Sequence, residues 1–324
     1  MSDKTITVIV TVLLALGVGF YFFNMFYAAW RIFCETLMRK SKDHWARKLP
    51  ADVEPMQAEM YRQGSLWQKE HKGFKQDVHI VNEGLNLYGE YYDMGFDRAV
   101  MVLSGRTESL IYGYYFAIPY ARAGFNVLLV DPRGHGLSDG KYNTTGFDES
   151  RDALAWVRFL NAEHGVETVV FHGICIGAAA GMYALTSEEC PDCVKGMVTE
   201  GMFATFAYSM KNHFIEKKRN FPTLLFFTDF WFKHYTTHSM KKGPIHCIDK
   251  LNVPLLMLQS KKDKYSTPDN AARLFEKCGS ANKRIVYFDE GGHSMLRITD
   301  TERYDGAIKE FLNEYFGGSR DIQK

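Results

Sequence analysis

Cys175 stands between two glycines in Gly173-Ile174-Cys175-Ile176-Gly177, a spacing that points to nucleophilic chemistry. A β-branched and aromatic run, Val169 to His172, precedes this segment, and a run of small residues, Ala178 to Gly181, follows it. A strand that reverses sharply into a helix holds its apex side chain exposed on a strained backbone, so the residues two before and two after must be tiny. The pattern predicts a nucleophile elbow with cysteine at the apex. A buried cysteine on an ordinary turn is the alternative that these five residues alone leave open.

Two further groups follow the elbow in the order of a catalytic triad. Asp263 comes just after the expected strand Val253 to Ser260, and His293 just after the expected strand Lys283 to Asp289. Because side chains at the carboxyl ends of parallel strands gather at one edge of a sheet, the three residues are expected to meet there. Glu200, at the end of the strand after the elbow, is the rival for the role of the acid.

A cysteine at this position changes the chemistry from that of a serine. A thiol is the better nucleophile and forms a thioester rather than an ester. A helix N-terminus and a nearby histidine both favour its thiolate form. A thioester gives its acyl group to water or to an amine or alcohol, so hydrolysis and acyl transfer both remain open.

Strands and helices that alternate along the chain must position these residues. Asp77 to Asn82 and Leu85 to Asp93 form a hairpin pattern about Glu83-Gly84. The alternation that follows predicts an α/β fold with a mostly parallel, doubly wound sheet. Gly105, after the buried strand Arg98 to Ser104, allows backbone N–H groups to turn toward the space above the sheet, as an oxyanion hole requires. The expected strands are 98–104, 125–130, 168–172, 195–200, 253–260 and 283–289, and the clearest expected helices are 112–123, 147–162 and 302–316.

The N-terminal segment predicts a transmembrane helix. From Thr5 to Trp30 the side chains that resist hydrocarbon are a few threonines and Asn24, over a run longer than the ~20 residues that span a bilayer. A cleaved signal peptide is the alternative, but its apolar core is usually shorter. Basic residues cluster after the span, which predicts that the following part is cytoplasmic: Lys4 precedes it, and Arg31, Arg39, Lys40, Lys42, Arg47 and Lys48 follow.

The predicted organisation is a transmembrane anchor at 1–30, a juxtamembrane helical connector at 31–75 interrupted at Leu49-Pro50, and a catalytic domain at 76–318. Residues 202–247 break the alternation of strands and helices and are dense in aromatics, which predicts a cap insertion. Its aromatics either pack the cap onto the core or line an apolar channel for an acyl chain.

Composition favours one large domain and argues against nucleic-acid-binding and disulfide-rich proteins. A length of 324 residues with 46% hydrophobic residues suits one large domain, and a net charge of +1 argues against a nucleic-acid partner. The six cysteines are too few and too uneven for a disulfide framework. Cys190-Pro-Asp-Cys193 lacks a second cysteine pair or a nearby His-x-x-x-His, so ordinary reduced thiols are expected rather than a zinc or redox site. No motif indicates a cofactor, a metal or an oligomeric state.

Over residues 75–318 the chain resembles the α/β-hydrolase superfamily, and within it the lysophospholipase and monoglyceride-lipase-like serine hydrolases. The resemblance rests on five motifs: Ser-Gly-Arg-Thr-Glu-Ser, Asp-Pro-Arg-Gly-His-Gly-Leu-Ser, Gly-Ile-Cys-Ile-Gly, Ser-Lys-Lys-Asp and Gly-Gly-His-Ser. It implies an esterase that hydrolyses an acyl ester, with Cys175 as nucleophile, His293 as base, Asp263 orienting the base, and the N–H groups of Arg106 and Ile176 binding the oxyanion.

Two departures from the serine relatives qualify this resemblance. Ser104-Gly105 replaces the usual His-Gly before the oxyanion loop, and cysteine replaces serine at the elbow, which is similar to dienelactone hydrolases and to polyester-forming acyl synthases. The expected function is a membrane-anchored, cytoplasm-facing hydrolase of a lipid-like or small acyl ester. An acyltransferase and a non-catalytic binding or scaffold protein on the same fold are the alternatives.

Overall fold

The computed structural model of the chain describes residues 2–49 and 53–317. An eight-stranded sheet runs through it in the order β1-β2-β4-β3-β5-β6-β7-β8. The predicted hairpin is the antiparallel pair β1–β2; β2 also pairs antiparallel with β4, and the pairs from β4 to β8 are parallel. The mostly parallel sheet predicted from the sequence is confirmed. Its strands are β1 (Lys75–Asn82), β2 (Leu85–Tyr92), β3 (Arg98–Leu103), β4 (Asn126–Val130), β5 (Thr168–Ile174), β6 (Val194–Glu200), β7 (Leu255–Ser260) and β8 (Lys283–Phe288).

Helices cover both faces of the sheet because its central strands are apolar on both sides. Along β3, Met101 and Leu103 face one core and Val100 and Val102 the other, as the two-residue period of a strand requires. The first core contains side chains from α4, α5 and α8, and the second contains side chains from α2, α3 and α10. The helices are α1 (Asp3–Thr36), α2 (Pro55–Glu70), α3 (Gly113–Arg122), α4 (Phe147–His164), α5 (Ile176–Leu185), α6 (Phe206–Glu216), α7 (Pro222–Thr236), α8 (Pro268–Lys277), α9 (Leu296–Thr299) and α10 (Thr301–Phe316).

Helices α6 and α7 lie in the segment predicted as a cap. Their aromatics pack together with the C-terminal part of α1, where Ala29, Phe33 and Cys34 are buried. Helix α1 therefore continues past the predicted limit at Trp30 to Thr36, because its last turns bury an apolar face against α7. Of the two roles considered for the cap aromatics, packing accounts for Phe203, Phe206, Phe214 and Phe232, which are all buried.

The connector is less helical than predicted. Residues 37–49 form no long helix and instead lie along the loop that follows β4. The N–H of Gly136 donates to the carbonyl of Trp45, and the Arg47 guanidinium binds the Asp131 carboxylate at 2.7 Å. These contacts join segments that are distant along the chain, so no periodic pattern in the sequence indicates them. Pro50 of the predicted interruption and the predicted domain end at 318 lie outside the described residues.

Candidate active site

Cys175 occupies a strand-to-helix turn at the centre of the sheet. Strand β5 ends at Ile174 and α5 begins at Ile176, so the cysteine alone makes the reversal. Its backbone has φ +51° and ψ −108°, a region that side-chain-bearing residues seldom adopt and that costs on the order of 1–3 kcal/mol. The elbow geometry predicted from the glycine spacing is present.

The two elbow glycines are required by close approaches of the backbone. A Cβ on Gly177 would lie 1.9 Å from the carbonyl oxygen of Leu103, at the end of β3. A Cβ on Gly173 would lie 2.5 Å from the Cα of Ala178. The elbow is thus pressed against the end of β3, where the predicted oxyanion loop begins.

His293 and Asp263 form a hydrogen-bonded pair. The His293 Nδ1 lies 2.7 Å from the Asp263 Oδ2, and the other carboxylate oxygen accepts the N–H groups of Tyr265 and Ser266 at 2.8 and 2.9 Å. Burial alone would lower the pKa of His293, but the charge of the Cys175 sulfur and the hydrogen bond that Nδ1 donates to Asp263 outweigh it and raise that pKa well above its ordinary range. The pair is therefore suited to hold the imidazole in one tautomer with Nε2 available for proton transfer.

Glu200, the rival acid, has other partners. Its two carboxyl oxygens accept the Tyr304 hydroxyl at 2.7 Å and the N–H of Leu296 at 3.1 Å. Burial raises the pKa of Glu200 to about 7. The geometry brings Asp263 to His293 and leaves Glu200 in the core behind the site.

The two expected oxyanion donors come from the loop after β3 and from the first residue of α5. Among the described residues, neither the N–H of Arg106 nor that of Ile176 donates to another protein group, which leaves both free for an incoming oxygen. The N–H of Gly105, in contrast, is taken by the Glu108 carboxylate at 2.9 Å. Donors without protein partners at this point are what stabilisation of a tetrahedral intermediate needs.

A cavity of about 180 Å³ contains the Cys175 and His293 side chains. Its walls combine the predicted oxyanion loop, including Arg106, with Phe206, Ser209 and His213 of α6. Burial lowers the pKa of His213 to about 4, and its ring stacks on Tyr265 with 3.8 Å between centroids. His213 is thus a neutral wall of the cavity rather than a second acid.

Two residues outside the predicted triad support the loop that carries Arg106. His135 is fully buried, its Nε2 lies 2.7 Å from the carbonyl oxygen of Arg106, and burial lowers the pKa of the ring. Trp45 of the connector stacks on this imidazole, with 4.4 Å between centroids and 9° between planes. His135 belongs to the Asp-Pro-Arg-Gly-His-Gly motif, so the motif was visible in the sequence, whereas the role of Trp45 left no signal there.

None of the other five cysteines lines this cavity. None of the six cysteines forms a disulfide within the described residues, and burial raises the pKa of Cys190 to about 11. No cluster of three or more His, Cys, Asp or Glu side chains in the described part of the chain is arranged to hold a metal ion.

Comparison with known proteins gives a consistent picture. The family model Hydrolase_4, described as serine aminopeptidase S33, matches residues 96–226 and 245–301. The chain is 28% identical over 224 residues to the uncharacterized protein YqkD of Bacillus subtilis, a match that covers 67% of this chain and 71% of that protein. It is 26% identical over 205 residues to the uncharacterized membrane protein YNL320W of Saccharomyces cerevisiae, covering 62% of this chain and 66% of that protein.

Among solved structures, the esterase Pf2001 of Pyrococcus furiosus superposes with a TM-score of 0.65 at 20% identity and covers 84% of this chain and 98% of its own. At this identity the likeness establishes the fold. The match is to an α/β hydrolase, as the sequence motifs implied.

Proposed function

Because the chain belongs to the Hydrolase_4 family and has the fold of α/β hydrolases, we propose that it is a membrane-anchored hydrolase that cleaves an acyl ester through Cys175, His293 and Asp263. The observation that carries the proposal is the cysteine at the apex of a strained elbow, in one cavity with an imidazole bound to a buried carboxylate. Serine is the residue in the family's description, so the thiol is the feature that needs testing.

The first half of the reaction follows from this geometry. His293 holds the Cys175 proton, and the thiolate attacks the ester carbonyl carbon. The negative charge that develops on the carbonyl oxygen is bound by the N–H groups of Arg106 and Ile176. When the carbon–oxygen bond of the ester breaks, His293 returns its proton to the leaving alcohol, and the acyl group remains on Cys175 as a thioester.

In the second half, water replaces the alcohol. His293 takes a proton from the water, and the water oxygen attacks the thioester carbonyl carbon. The carbon–sulfur bond then breaks, which releases the carboxylic acid and restores the Cys175 thiolate. Asp263 stabilises the imidazolium at both stages and fixes the tautomer. An amine or alcohol entering in place of water would give acyl transfer from the same intermediate.

The size of the cavity favours a short acyl group. Its volume of about 180 Å³ lies below the ~300–1,000 Å³ typical of sites for drug-sized ligands, and a second cavity of about 390 Å³ adjoins it at His293 and Tyr265. Of the cap aromatics, Phe203, Phe214 and Phe232 pack in one cluster with the end of α1, and Phe206 lines the cavity. A small acyl ester is therefore the substrate that we propose, with its alcohol part outside the cavity.

The membrane anchor of this proposal is α1. Its sequence has a mean hydropathy of 2.4 over an 18-residue window, and a yeast relative is named as a membrane protein. The basic residues after the span favour a cytoplasmic catalytic domain under the positive-inside rule. Labelling of intact cells by an impermeant thiol reagent should miss Cys190, and labelling of that residue would reverse the proposed topology.

The function is tested by screening the purified full-length protein against acyl esters and thioesters from acetyl to palmitoyl. We expect turnover of short esters, its loss in Cys175→Ala, and its retention in Cys190→Ala, a matched removal of one thiol away from the site. Absence of turnover in the unaltered protein and in both variants would favour the non-catalytic alternative. Products that carry the acyl group on an added amine in preference to water would favour an acyltransferase.

Thiol reactivity gives a test that needs no substrate. Alkylation of Cys175 by iodoacetamide at pH 7 should be faster than that of Cys190 and should slow in His293→Ala, because the imidazolium stabilises the thiolate. A Cys175 that is no more reactive than Cys190 would contradict cysteine catalysis.

A further inference from the structure

The cap carries an exposed apolar face beside α1. On α7, Leu224, Thr228 and Phe232 are buried against the protein, while Phe226 and Phe230 are 59% and 47% exposed. Ile215 and Phe221, at the end of α6 and just before α7, are 49% and 45% exposed. Large exposed aromatics grouped in this way mark an interaction surface rather than scattered surface residues.

Helix α1 and helix α7 run in the same direction, so contacts between them give the position of this face along α1. The Tyr21 hydroxyl contacts the Thr223 hydroxyl at 2.7 Å, the Trp231 Nε1 donates to the carbonyl of Phe26 at 3.1 Å, and Phe33 stacks on Tyr235. The start of α7 therefore lies level with Tyr21, and Phe226 and Phe230 lie level with the following two turns of α1.

The exposed part of α1 gives the position of the bilayer. Residues 3–23 are exposed, and burial begins after them. At 1.5 Å per residue this stretch is about 31 Å long, close to the ~30 Å hydrocarbon thickness of a bilayer. The boundary between hydrocarbon and headgroups thus falls near Tyr21 to Tyr27, the level of the exposed aromatics of α7.

Basic side chains in the loop before α7 suit a lipid surface. Lys217, Lys218 and Arg219, between α6 and α7, are all exposed. The nearby acids have other partners: Glu216 accepts the Tyr265 hydroxyl, and Asp229 accepts the Ser239 hydroxyl and the N–H of Met240. Basic side chains next to exposed aromatics are the combination found on elements that lie in the interface of anionic bilayers.

We propose that this surface, which we name the cap tip, rests in the headgroup region of the bilayer that α1 enters and forms a second membrane contact. The proposal rests on the membrane anchoring proposed above. It adds that the cap contacts the lipid surface and is not surrounded by water on all sides. The cap tip consists of Ile215, Lys217, Lys218, Arg219, Phe221, Phe226 and Phe230.

The test places an environment-sensitive fluorophore at single cysteines of the full-length chain in vesicles of phosphatidylcholine and phosphatidylserine. The native cysteines are replaced by serine or alanine, and folding is checked by circular dichroism. Phe226→Cys probes the cap tip, and Val81→Cys, an apolar position 69% exposed on β1, is the matched control. We expect iodide to quench the probe at position 226 at least about threefold less than at position 81, and shallow spin-labelled lipid to quench it more.

Leu13→Cys separates this proposal from the anchor itself, because Leu13 lies within the exposed part of α1. The cap-tip contact would be overturned, and the anchor retained, by two results together. The probe at position 13 is buried in lipid, and iodide quenches the probe at position 226 as strongly as the probe at position 81. A probe at 13 that remains in water would instead contradict the anchor.

The unaltered protein offers a second measurement that does not depend on the cysteine-free background. A phospholipid with a photoreactive group near its headgroup should label peptides from 215–230 as well as from α1, and should leave 75–92 unlabelled. Labelling confined to α1 would overturn the proposal.

Discussion

Gly177→Ala tests whether the close contact between the elbow and the oxyanion loop is what the site depends on. The added Cβ would lie 1.9 Å from the Leu103 carbonyl oxygen and 2.4 Å from its carbon. To reach the ordinary minimum of about 3.0 Å, the Cβ and the Leu103 oxygen must move apart by about 1.1 Å. Neither can rotate away, because the oxygen belongs to the backbone and the Cβ is fixed to it. A displacement of this size between reacting groups costs about 100-fold in rate, and overpacking costs about 1–3 kcal/mol or more of stability.

We therefore expect Gly177→Ala to lower turnover by about two orders of magnitude and the free energy of unfolding by about 3 kcal/mol. Ester hydrolysis and urea unfolding, measured on the same preparation, check both. The matched control is Gly306→Ala in α10, where a Cβ meets nothing within 4 Å, so the substitution should stabilise the helix by about 0.5–1 kcal/mol. Wild-type turnover and stability in Gly177→Ala would refute the argument that the elbow is pressed against β3.

Three further outcomes are expected. Asp263→Asn should lower turnover by about three to four orders of magnitude with the fold intact, and Glu200→Gln should leave it nearly unchanged; the reverse result would move the acid role to Glu200. Burial raises the pKa of Glu200 to about 7 from about 4.3 in the unfolded chain, so the native state holds an extra proton between these values and stability falls as pH rises through that window. In the unaltered protein this lowers the free energy of unfolding by about 3 kcal/mol, and urea unfolding of Glu200→Gln should show no such decrease. The same dependence of the free energy of unfolding on pH in both proteins would contradict the raised pKa of Glu200. Trp45→Ala should lower kcat about tenfold with little change in KM, because it loosens His135 beneath the oxyanion loop, and Trp45→Phe should restore most of the loss; equal kcat in all three proteins would leave Trp45 a packing residue.

The sheet could be predicted from the sequence because its strands are short apolar runs bounded by turn residues. The observed strands begin and end within two residues of the predicted limits, and β3 and β7 show how apolar runs at regular spacing identify buried strands. The elbow could also be predicted, because Gly173 and Gly177 record a steric demand in the sequence itself. These features follow from local rules.

The features that the sequence did not reveal depend on contacts between distant segments. Asp263 follows β7 and Glu200 ends β6, so their positions in the sequence are alike. What distinguishes them is a partner far along the chain, His293 for Asp263 and Tyr304 for Glu200. The stack of Trp45 on His135 joins the connector to the loop after β4 without any periodic pattern. Helix α1 extends past Trp30 because α7 covers it, which local hydropathy cannot register.

Cysteine catalysis is tested most directly by the mass of the protein during turnover. The full-length chain is mixed with an activated short ester, quenched in acid within one turnover, and analysed intact and by peptide mapping. Cys-based catalysis predicts a mass increase of one acyl group on the peptide that contains Cys175, its release by neutral hydroxylamine as expected of a thioester, and its absence in Cys175→Ala. Continued hydrolysis by Cys175→Ala, or turnover by the unaltered protein with the acyl group on another residue, would exclude Cys175 as the nucleophile.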